Sequence, residues 1–441
     1  MGDDGVSIGM QEDVRANPVA CNTVACNTVA CNTVARPIAR RTEPFRESVI
    51  REMTRLGNES GAVNLSQGLP DFDPPPAVLA SAVAAIQNGD NQYTFPFGTL
   101  AFREAIAAKS ARYNRIPVDP ETEVTVTCGV SEAIMATILA LTDPGDEVII
   151  LEPWYENYVP DCQMVGVRPR FVSLREPEYT FDPDELRAAF NDRTRLILLN
   201  TPHNPTGRVF SRAELTTIAA LCQEFGVIAV VDEIYEQIFY DGHEHVSIGS
   251  LEGMHDRTVT ICGLSKTYAV TGWRVGWTIA AAPLTAVIRK VHDYLTVCAP
   301  APFQAAGVVA LGLPESYYVE MRDQYATRRT ILLDTLDAMG VSYREPEGAY
   351  YVMVDFGDVE WERGAVPSSG QTVDRVFAEY LAREVGVAVV PGSSFYADGG
   401  RGVSRVRFNF AKLEDTLWEA DRRLRKLGTV SDETRSARPA E

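Results

Sequence analysis

Short apolar runs alternate with longer amphipathic segments from about residue 100 to residue 280. Each run has the length of a buried strand and ends in polar residues, glycine or proline. The runs are EVTVTC (123–128), EVIIL (147–151), RLILLN (195–200), VIAVVD (227–232) and VTIC (259–262). Segments with apolar residues at helical spacing precede or separate these runs, as in those that begin near Leu100 and Arg212. This alternation predicts an α/β fold with a mostly parallel sheet covered by helices on both faces.

The pattern changes on either side of this region. Residues 290–311 predict a long helix, a break marked by prolines and a second helix, and strand-like segments follow at 343–356, 385–395 and 403–412. These strands predict a smaller mixed sheet. The expected organisation is a mobile N-terminal arm (1–35), a segment that packs with the small domain (36–75), a large domain (76–312), a small α+β domain (313–428) and a tail (429–441).

Two features precede the predicted large domain. Phe45, Val49, Ile50 and Met53 have the spacing of one helix face, so we expect a docked helix there. The segment NLSQGLPDFDPPP (64–76) carries prolines that enforce an irregular, extended course.

Charge and composition narrow the possible partners. The chain of 441 residues has 60 acidic and 41 basic side chains, a formal charge of −19, which repels phosphate backbones and anionic membranes. Nucleic acid and membrane are therefore not expected partners. Without an apolar run of membrane-spanning length or the apolar core of a signal peptide, the sequence favours a soluble cytoplasmic protein. The eight cysteines lack metal-ligand spacing with histidine, so we expect reduced thiols and no metal.

A five-residue unit, CNTVA, is repeated three times across residues 21–35. The period is too short for a solenoid or a propeller, and the neighbouring residues provide nothing for the unit to pack on. We therefore expect an appended arm. The alternative is a redox or metal-binding row of thiols at Cys21, Cys26 and Cys31, although such sites normally add histidine or closer spacing.

The segment GLSKTYAVTGWRVGW (263–277) predicts the central chemistry. Lys266, next to Ser265, directly follows an apolar strand. A lysine in a desolvated cleft loses proton affinity, and its free amine can form a Schiff base with an aldehyde. Arg274 adds a planar guanidinium suited to a phosphate. Pyridoxal phosphate carries both groups and is the cofactor that this pair favours, whereas the short motif by itself also fits a surface turn.

A phosphate seat is predicted where Gly129, Val130 and Ser131 open a helix immediately after a strand. Free backbone amides, a hydroxyl and the positive end of the helix dipole would point to one place. A simple N-cap at Ser131 would give the same local sequence, so both interpretations stay open.

Asp232 ends an apolar strand, and Lys266 follows the next one. A carboxylate at the inner end of a buried strand is costly unless it meets a cation. The protonated ring nitrogen of the cofactor would be that cation and would make the ring an electron sink. A structural salt bridge is the alternative, but ligands of such sheets gather at the carboxyl ends of strands, where all these motifs converge. His203, in a proline-rich loop, is expected to be structural.

These motifs resemble those of the class I and II aminotransferases, the fold type I pyridoxal phosphate enzymes, and most closely the branch of bacterial aspartate and kynurenine aminotransferases. The similar segments run from about Asn64 to about Ala411. The resemblance implies a seven-stranded type of sheet in the large domain, a smaller α+β domain, and a homodimer with shared active sites.

The resemblance also implies residue roles. The implied catalytic residues are Lys266, Asp232 and Tyr235. The implied cofactor contacts are Gly129, Val130, Ser131, Tyr155, Asn204, Asp232, Tyr235, Ser265, Lys266, Arg274 and, across a dimer interface, Tyr93. The implied substrate contacts are Gly68, Asn204 and Arg407, of which Arg407 grips the α-carboxylate. Trp154 competes with Tyr155 for stacking on the ring, Arg405 is expected to be solvated, and Gly263 departs from the serine that many relatives place against the phosphate.

The implied activity is a ping-pong aminotransferase that moves an amino group from an L-amino acid to a 2-oxo acid through a lysine Schiff base. The same cofactor could instead serve elimination, cyclisation or oxidation of an amino acid, and the sequence does not separate these outcomes. A cofactor-sensing regulator would need a basic DNA-binding module, which the residues ahead of the fold do not supply. The substrate side chain stays open, with the arginine-rich segment 36–51 as a hint of an acidic substrate.

Overall fold

The computed structural model describes residues 39–42, 45, 47–357, 359, 361 and 370–428. The predicted arm with its CNTVA repeat and the predicted tail lie outside these residues. The chain divides into two units, Met1–Glu43 and Pro44–Glu441. In the first, a 3-10 turn covers Arg40–Thr42. The second contains every α-helix and β-strand named below.

The α-helices of the described residues are α1 Val49–Ser60, α2 Pro76–Asn88, α3 Leu100–Lys109, α4 Val130–Leu141, α5 Tyr158–Val165, α6 Pro183–Ala189, α7 Arg212–Phe225, α8 Ala282–Thr296, α9 Ala301–Leu311, α10 Glu315–Met339, α11 Val373–Tyr380 and α12 Glu414–Gly428. Their strands are β1 Val63–Asn64, β2 Val124–Thr127, β3 Glu147–Glu152, β4 Arg168–Ser173, β5 Thr194–Asn200, β6 Ile228–Asp232, β7 Thr258–Gly263, β8 Gly276–Ala280, β9 Ser342–Tyr343, β10 Tyr351–Asp355, β11 Val387–Ala388, β12 Val390–Pro391 and β13 Arg405–Asn409.

The larger sheet has seven strands in the order β2-β8-β7-β6-β5-β3-β4. Within it, β8 alone runs opposite to the other six strands, so the predicted mostly parallel sheet is confirmed. The register pairs Asn200 at the end of β5 with Asp232 at the end of β6. Polar side chains that end separate apolar runs are thereby brought to one edge of the sheet.

Alternate residues of the central strands pack on opposite faces, as the period of a strand requires. Ile149 and Leu151 of β3 join a cluster that includes residues of α6 and α7. Val148 and Ile150 of the same strand join a second cluster, with residues of α4, α5 and α8. Both faces of the sheet are therefore covered, which explains why the strands are continuous apolar runs.

The smaller sheet has the order β12-β13-β10-β9 and is antiparallel throughout. The prediction of a mixed sheet was wrong in this respect. The parallel pairing in this part of the chain belongs instead to a separate two-stranded sheet, in which β1 from the N-terminal segment pairs with β11. The predicted helix near residue 50 begins at Val49 and leaves Phe45 outside it.

Arg405 corrects a second expectation. Its side chain is 13% exposed and pairs with Glu176, at 2.5 Å, and with Asp355, at 3.3 Å. The strand pattern gave no sign of these partners, because both carboxylates reach β13 from other parts of the chain. Among the described residues, no helix is both long and apolar enough to cross a membrane.

Candidate active site

A cavity of about 480 Å³ opens at the carboxyl ends of β5, β6 and β7. All predicted site residues except Gly129 and Tyr93 line it: Gly68, Val130, Ser131, Tyr155, Asn204, Asp232, Tyr235, Ser265, Lys266, Arg274 and Arg407. Residues from distant parts of the sequence thus meet at one place, as expected for ligand sites of parallel sheets.

Lys266 lies three residues past the end of β7, and its side chain faces the cavity. The Nζ atom donates a hydrogen bond to the Gly68 carbonyl oxygen at 2.7 Å. Burial lowers the pKa of Lys266 to about 8, against an opposing contribution from Asp232. An appreciable share of this amine is therefore neutral and nucleophilic near neutral pH.

Asp232 is buried at the end of β6. One carboxylate oxygen accepts a hydrogen bond from the Tyr158 hydroxyl at 2.9 Å, and the other accepts one from the Ile234 amide at 3.2 Å. Burial raises the pKa of Asp232 to about 6, while these hydrogen bonds favour the charged form. No lysine, arginine or histidine in the described part of the chain forms an ion pair with it, which argues against a purely structural salt bridge.

The start of α4 has the features of an anion seat. The residue that precedes the helix is Gly129, with φ of +86°, and no side chain caps this end. The first intrahelical bond runs from the Ala133 amide to the Gly129 oxygen, so the amides of Val130 and Ser131 come before it. Ser131 is a residue of the helix itself, and the interpretation of Ser131 as an N-cap was therefore wrong.

Arg274 packs directly over Gly129. A Cβ atom on Gly129 would lie 2.6 Å from Nη2 of Arg274, so glycine is required both for the positive φ and for this approach. Arg274 lies just before β8, the strand that runs opposite to its neighbours, and Nη1 donates to the Thr271 oxygen at 2.9 Å. A guanidinium and free helix amides thus meet at one side of the cavity.

The glycine at position 263 has a structural reason. A Cβ atom there would come within 2.8 Å of the Val275 oxygen and 3.1 Å of the Gly276 Cα atom in the adjacent strand. Here β7 and β8 approach too closely for a serine side chain. Thr271 lines the cavity next to Arg274 and offers a hydroxyl at the same end.

Arg407 projects from β13 and is fully buried. Nη1 donates to Oδ1 of Asn204 at 2.8 Å, and Nη2 donates to the Ser66 carbonyl oxygen at 2.7 Å. The guanidinium lies 4.3 Å from the ring centre of Tyr351, and its buried Nε has no partner in the described structure. A buried cation without a carboxylate partner is costly, so this side of the cavity suits an anionic ligand.

The Gly68 carbonyl accepts from Lys266 and, at 3.1 Å, from the Tyr350 hydroxyl, and this position has no room for a side chain. A Cβ atom at this position would lie 1.8 Å from the Tyr351 hydroxyl oxygen, a distance that no other residue could tolerate without a shift of the backbone or of that ring. The same Tyr351 hydroxyl lies 3.0 Å from the hydroxyl of Tyr235. Residues 67–69 of the extended segment therefore form one wall of the cavity.

The two aromatic candidates after β3 have different surroundings. Trp154 is buried and stacks on Phe171 at 4.8 Å, outside the cavity, whereas Tyr155 lines the cavity. Tyr93 does not line the cavity and is 83% exposed. His203, left out of the predicted site, is buried against Thr206, and burial lowers its pKa to about 3.

Several cavity or supporting residues were missed, among them Asn200, Tyr158 and Tyr351. Asn200, the last residue of RLILLN, could have been found as the polar end of an apolar run. Its side-chain amide donates to the Asp232 backbone oxygen at 2.8 Å, and its Oδ1 accepts from the backbone amide of Asn204 at 2.7 Å. Tyr158 and Tyr351 gave no local signal, because the start of a helix and the start of a distant strand bring them to the site.

The charged and polar groups of this cavity fit pyridoxal phosphate. The set comprises an amine of lowered pKa, a buried carboxylate without a cationic partner, a guanidinium above free helix amides, and a second guanidinium with an unpartnered buried nitrogen. Each matches a different group of the cofactor or of an amino acid: aldehyde, ring nitrogen, phosphate and α-carboxylate.

Comparisons with known proteins also indicate an aminotransferase. A family model described as aminotransferase class I and II matches residues 60–420. A probable N-succinyldiaminopimelate aminotransferase of Mycobacterium tuberculosis is 37% identical over 398 residues, covering 88% of this chain and 98% of that protein. Kynurenine–oxoglutarate transaminase 1 of Homo sapiens is 36% identical over 399 residues, covering 85% and 94%.

Solved structures agree with this similarity. The structure of N-succinyldiaminopimelate aminotransferase from Mycobacterium tuberculosis has a TM-score of 0.83 at 37% identity and covers 89% of this chain and all of that one. Aspartate aminotransferase from Thermus thermophilus has a TM-score of 0.80 at 33% identity, covering 89% and 100%. The predicted fold type I architecture is confirmed.

Proposed function

The chain belongs to the class I and II aminotransferases, and on this basis we propose that its cavity binds pyridoxal phosphate at Lys266 and transfers an amino group from an L-amino acid to a 2-oxo acid. The observation that carries this assignment is the Lys266 amine, whose pKa is lowered to about 8, in one cavity with Asp232, Arg274 and Arg407.

The residues divide the binding of the cofactor among them. Arg274 and the backbone amides of Val130 and Ser131 would hold the phosphate, and Lys266 would hold the aldehyde carbon. Asp232 would hold the ring nitrogen in its protonated form. When bound, pyridoxal phosphate supplies an aldehyde that bonds to amines and a ring that accepts electrons from the substrate's α-carbon.

Further contacts fix the ring and its oxygen. Tyr155 would stack on the ring, a contribution of about 1 kcal/mol beyond burial. The side-chain amide of Asn204 and the Tyr235 hydroxyl would hold the phenolic oxygen, and the Ser265 hydroxyl would add a polar contact beside the lysine.

Substrate orientation falls to Arg407. Its guanidinium grips the α-carboxylate, and Asn204 and the backbone of Gly68 complete this side of the pocket. The α-hydrogen is thereby directed toward Nζ of Lys266. The neutral Lys266 amine would be placed to take up this proton as a general base and to give it back as a general acid, the role that its lowered pKa permits.

We also propose a homodimer in which Tyr93 of the partner subunit completes the phosphate seat. Tyr93 is 83% exposed, and three exposed apolar residues, Leu79, Val83 and Ile86, form one face of α2. Such a stripe suits burial against a second copy of this chain. In sedimentation, Val83→Glu is expected to yield monomers with little activity, while Val373→Glu at an exposed position of α11 leaves the dimer intact. A monomeric wild-type protein with full activity would refute this arrangement.

An absorbance spectrum tests the activity directly. The purified protein with pyridoxal phosphate is expected to show a visible band that bleaches on addition of an amino acid, with one equivalent of 2-oxo acid released. The relatives are named for N-succinyldiaminopimelate and kynurenine, so these belong in the donor panel. Ammonia released without conversion of the cofactor to its amine form would favour elimination or oxidation instead.

A further inference from the structure

Helix α1 lies along the opening of the cavity and is fixed at two points. Ser48, which caps the helix, donates its hydroxyl to the Glu156 carboxylate at 2.7 Å, next to the ring-stacking candidate Tyr155. Farther along the same helix, the Thr54 hydroxyl lies 3.3 Å from the Ser66 hydroxyl. The Ser66 carbonyl in turn accepts from Arg407 at 2.7 Å. The helix thus connects the ring side of the cavity with the carboxylate side.

Arg51 stands between these two fixed points. Residues three apart on a helix share a face, so Arg51 lies on the face that carries Ser48 and Thr54. It lines the cavity and is exposed. In the described part of the chain it forms no ion pair, whereas Arg55, on the next turn, pairs with Glu47 at 2.9 Å.

We propose that Arg51 is a specificity-determining residue that binds the side-chain carboxylate of a dicarboxylic amino acid or 2-oxo acid. This inference rests on the proposed function, because it takes Arg407 as the site of the α-carboxylate. A guanidinium at the opening matches a carboxylate in bidentate geometry, and a ligand charge at each end of the cavity would find a cation. Glu156 lines the same cavity with the opposite charge, so it is expected to oppose dicarboxylate binding and Arg51 to favour it.

Unreactive acids separate the two ends of the pocket. Calorimetry on the cofactor-loaded protein compares butyrate, which has one carboxylate, with succinate, glutarate and adipate, which have two. Arg51→Gln is expected to weaken binding of the best dicarboxylate about tenfold and to leave butyrate within about twofold. Arg51→Lys keeps the charge and is expected to lose less.

Two matched variants serve as controls. Arg55→Gln removes an arginine from the next turn of the same helix and is expected to change neither affinity. Glu156→Gln removes the opposing charge and is expected to strengthen dicarboxylate binding. Thermal melting of each variant checks that the fold is retained.

The inference is overturned if Arg51→Gln leaves dicarboxylate binding unchanged, if it weakens butyrate equally, or if the wild-type protein prefers no dicarboxylate over butyrate. Failure of the proposed function has a different signature, since the wild-type protein would then convert no amino acid to its oxo acid in the spectroscopic test, whatever the ratio of these binding constants.

Discussion

Lys266 and Lys109 are both surrounded by protein atoms but have opposite acid–base properties. Burial lowers the pKa of Lys266 to about 8, and Asp232 opposes this only in part. Burial also acts to lower the pKa of Lys109, but Glu236 and its neighbours outweigh it and raise that pKa. The Lys109 ammonium is ion-paired with Glu236 and donates to Asn114 at 2.8 Å, whereas the Lys266 amine donates to a neutral carbonyl.

The difference shows that burial alone does not make a lysine reactive. A carboxylate within hydrogen-bonding distance keeps the amine charged. When the carboxylate is farther away, desolvation dominates and lowers the pKa of the lysine. The two carboxylates come from one short segment, DEIYE, in which Asp232 borders the cavity and Glu236 lies in a polar cluster with Glu233 and His245. One side-chain oxygen or nitrogen of each of these three residues lies within 4.8 Å of the others, and the Lys109 ammonium is the cation that pairs with Glu236.

Removal of the reactive lysine has the largest expected effect. Lys266→Ala should lower kcat by at least about 10⁴-fold, because both the covalent attachment and the proton transfer are lost. Borohydride reduction followed by peptide mapping should find the cofactor on Lys266 in the wild-type protein and on no lysine in the variant. Lys290→Ala, on the exposed side of α8, is the control. A reduced adduct at Lys109 would contradict the conclusion that its ion pair with Glu236 keeps this lysine unreactive.

Removal of the paired lysine should affect stability instead. Lys109→Met leaves Glu236 buried without its cation, so the free energy of unfolding should fall by about 3–5 kcal/mol. Lys109→Met with Glu236→Met should recover most of this loss, since no buried charge of the pair then remains. Chemical denaturation measures both. Equal instability of the single and double variants would show that the ion pair is not the origin of the loss.

The pH dependence of cofactor attachment sharpens the comparison further. Only the neutral amine bonds to an aldehyde, so attachment to the apo-protein should accelerate about tenfold per pH unit below 8 and level off above it. Asp232→Asn should move the midpoint to lower pH, because the Asp232 charge raises the pKa of Lys266. Stopped-flow absorbance gives the rates. A midpoint near 10.5, the ordinary value for lysine, would contradict the lowered pKa.

The smallest expected effect concerns the hydroxyl that holds Asp232. Tyr158→Phe removes a hydrogen bond that favours the carboxylate, so the pKa of Asp232 should rise and kcat should fall about fivefold at neutral pH and more in acid. Tyr155→Phe, which keeps the ring and makes no such bond, should leave the acid limb of the pH profile in place. A profile that is unchanged in Tyr158→Phe would mean that other contacts hold Asp232 charged.

Much of the fold and of the candidate site was predictable from the chain. Apolar runs with polar ends located β5, β6 and β7, with Asp232 at the end of β6 and Lys266 just past β7, whereas the role of Asn204 came from the family resemblance. The burial of Arg405 and the antiparallel small sheet were not predictable, because both depend on partners far away along the chain.

The sequence by itself determined which local segments form strands and helices and which residue types stand at their ends, since periodicity and turn residues act over a few positions. Only the tertiary structure decided whether Lys109 or Lys266 has a carboxylate within reach, which glycines have no room for a side chain, that Tyr158 holds Asp232, and that Tyr351 lines the cavity. The physical reason is distance: a pKa or a steric contact depends on atoms a few ångströms away that a hundred or more residues can separate in the chain.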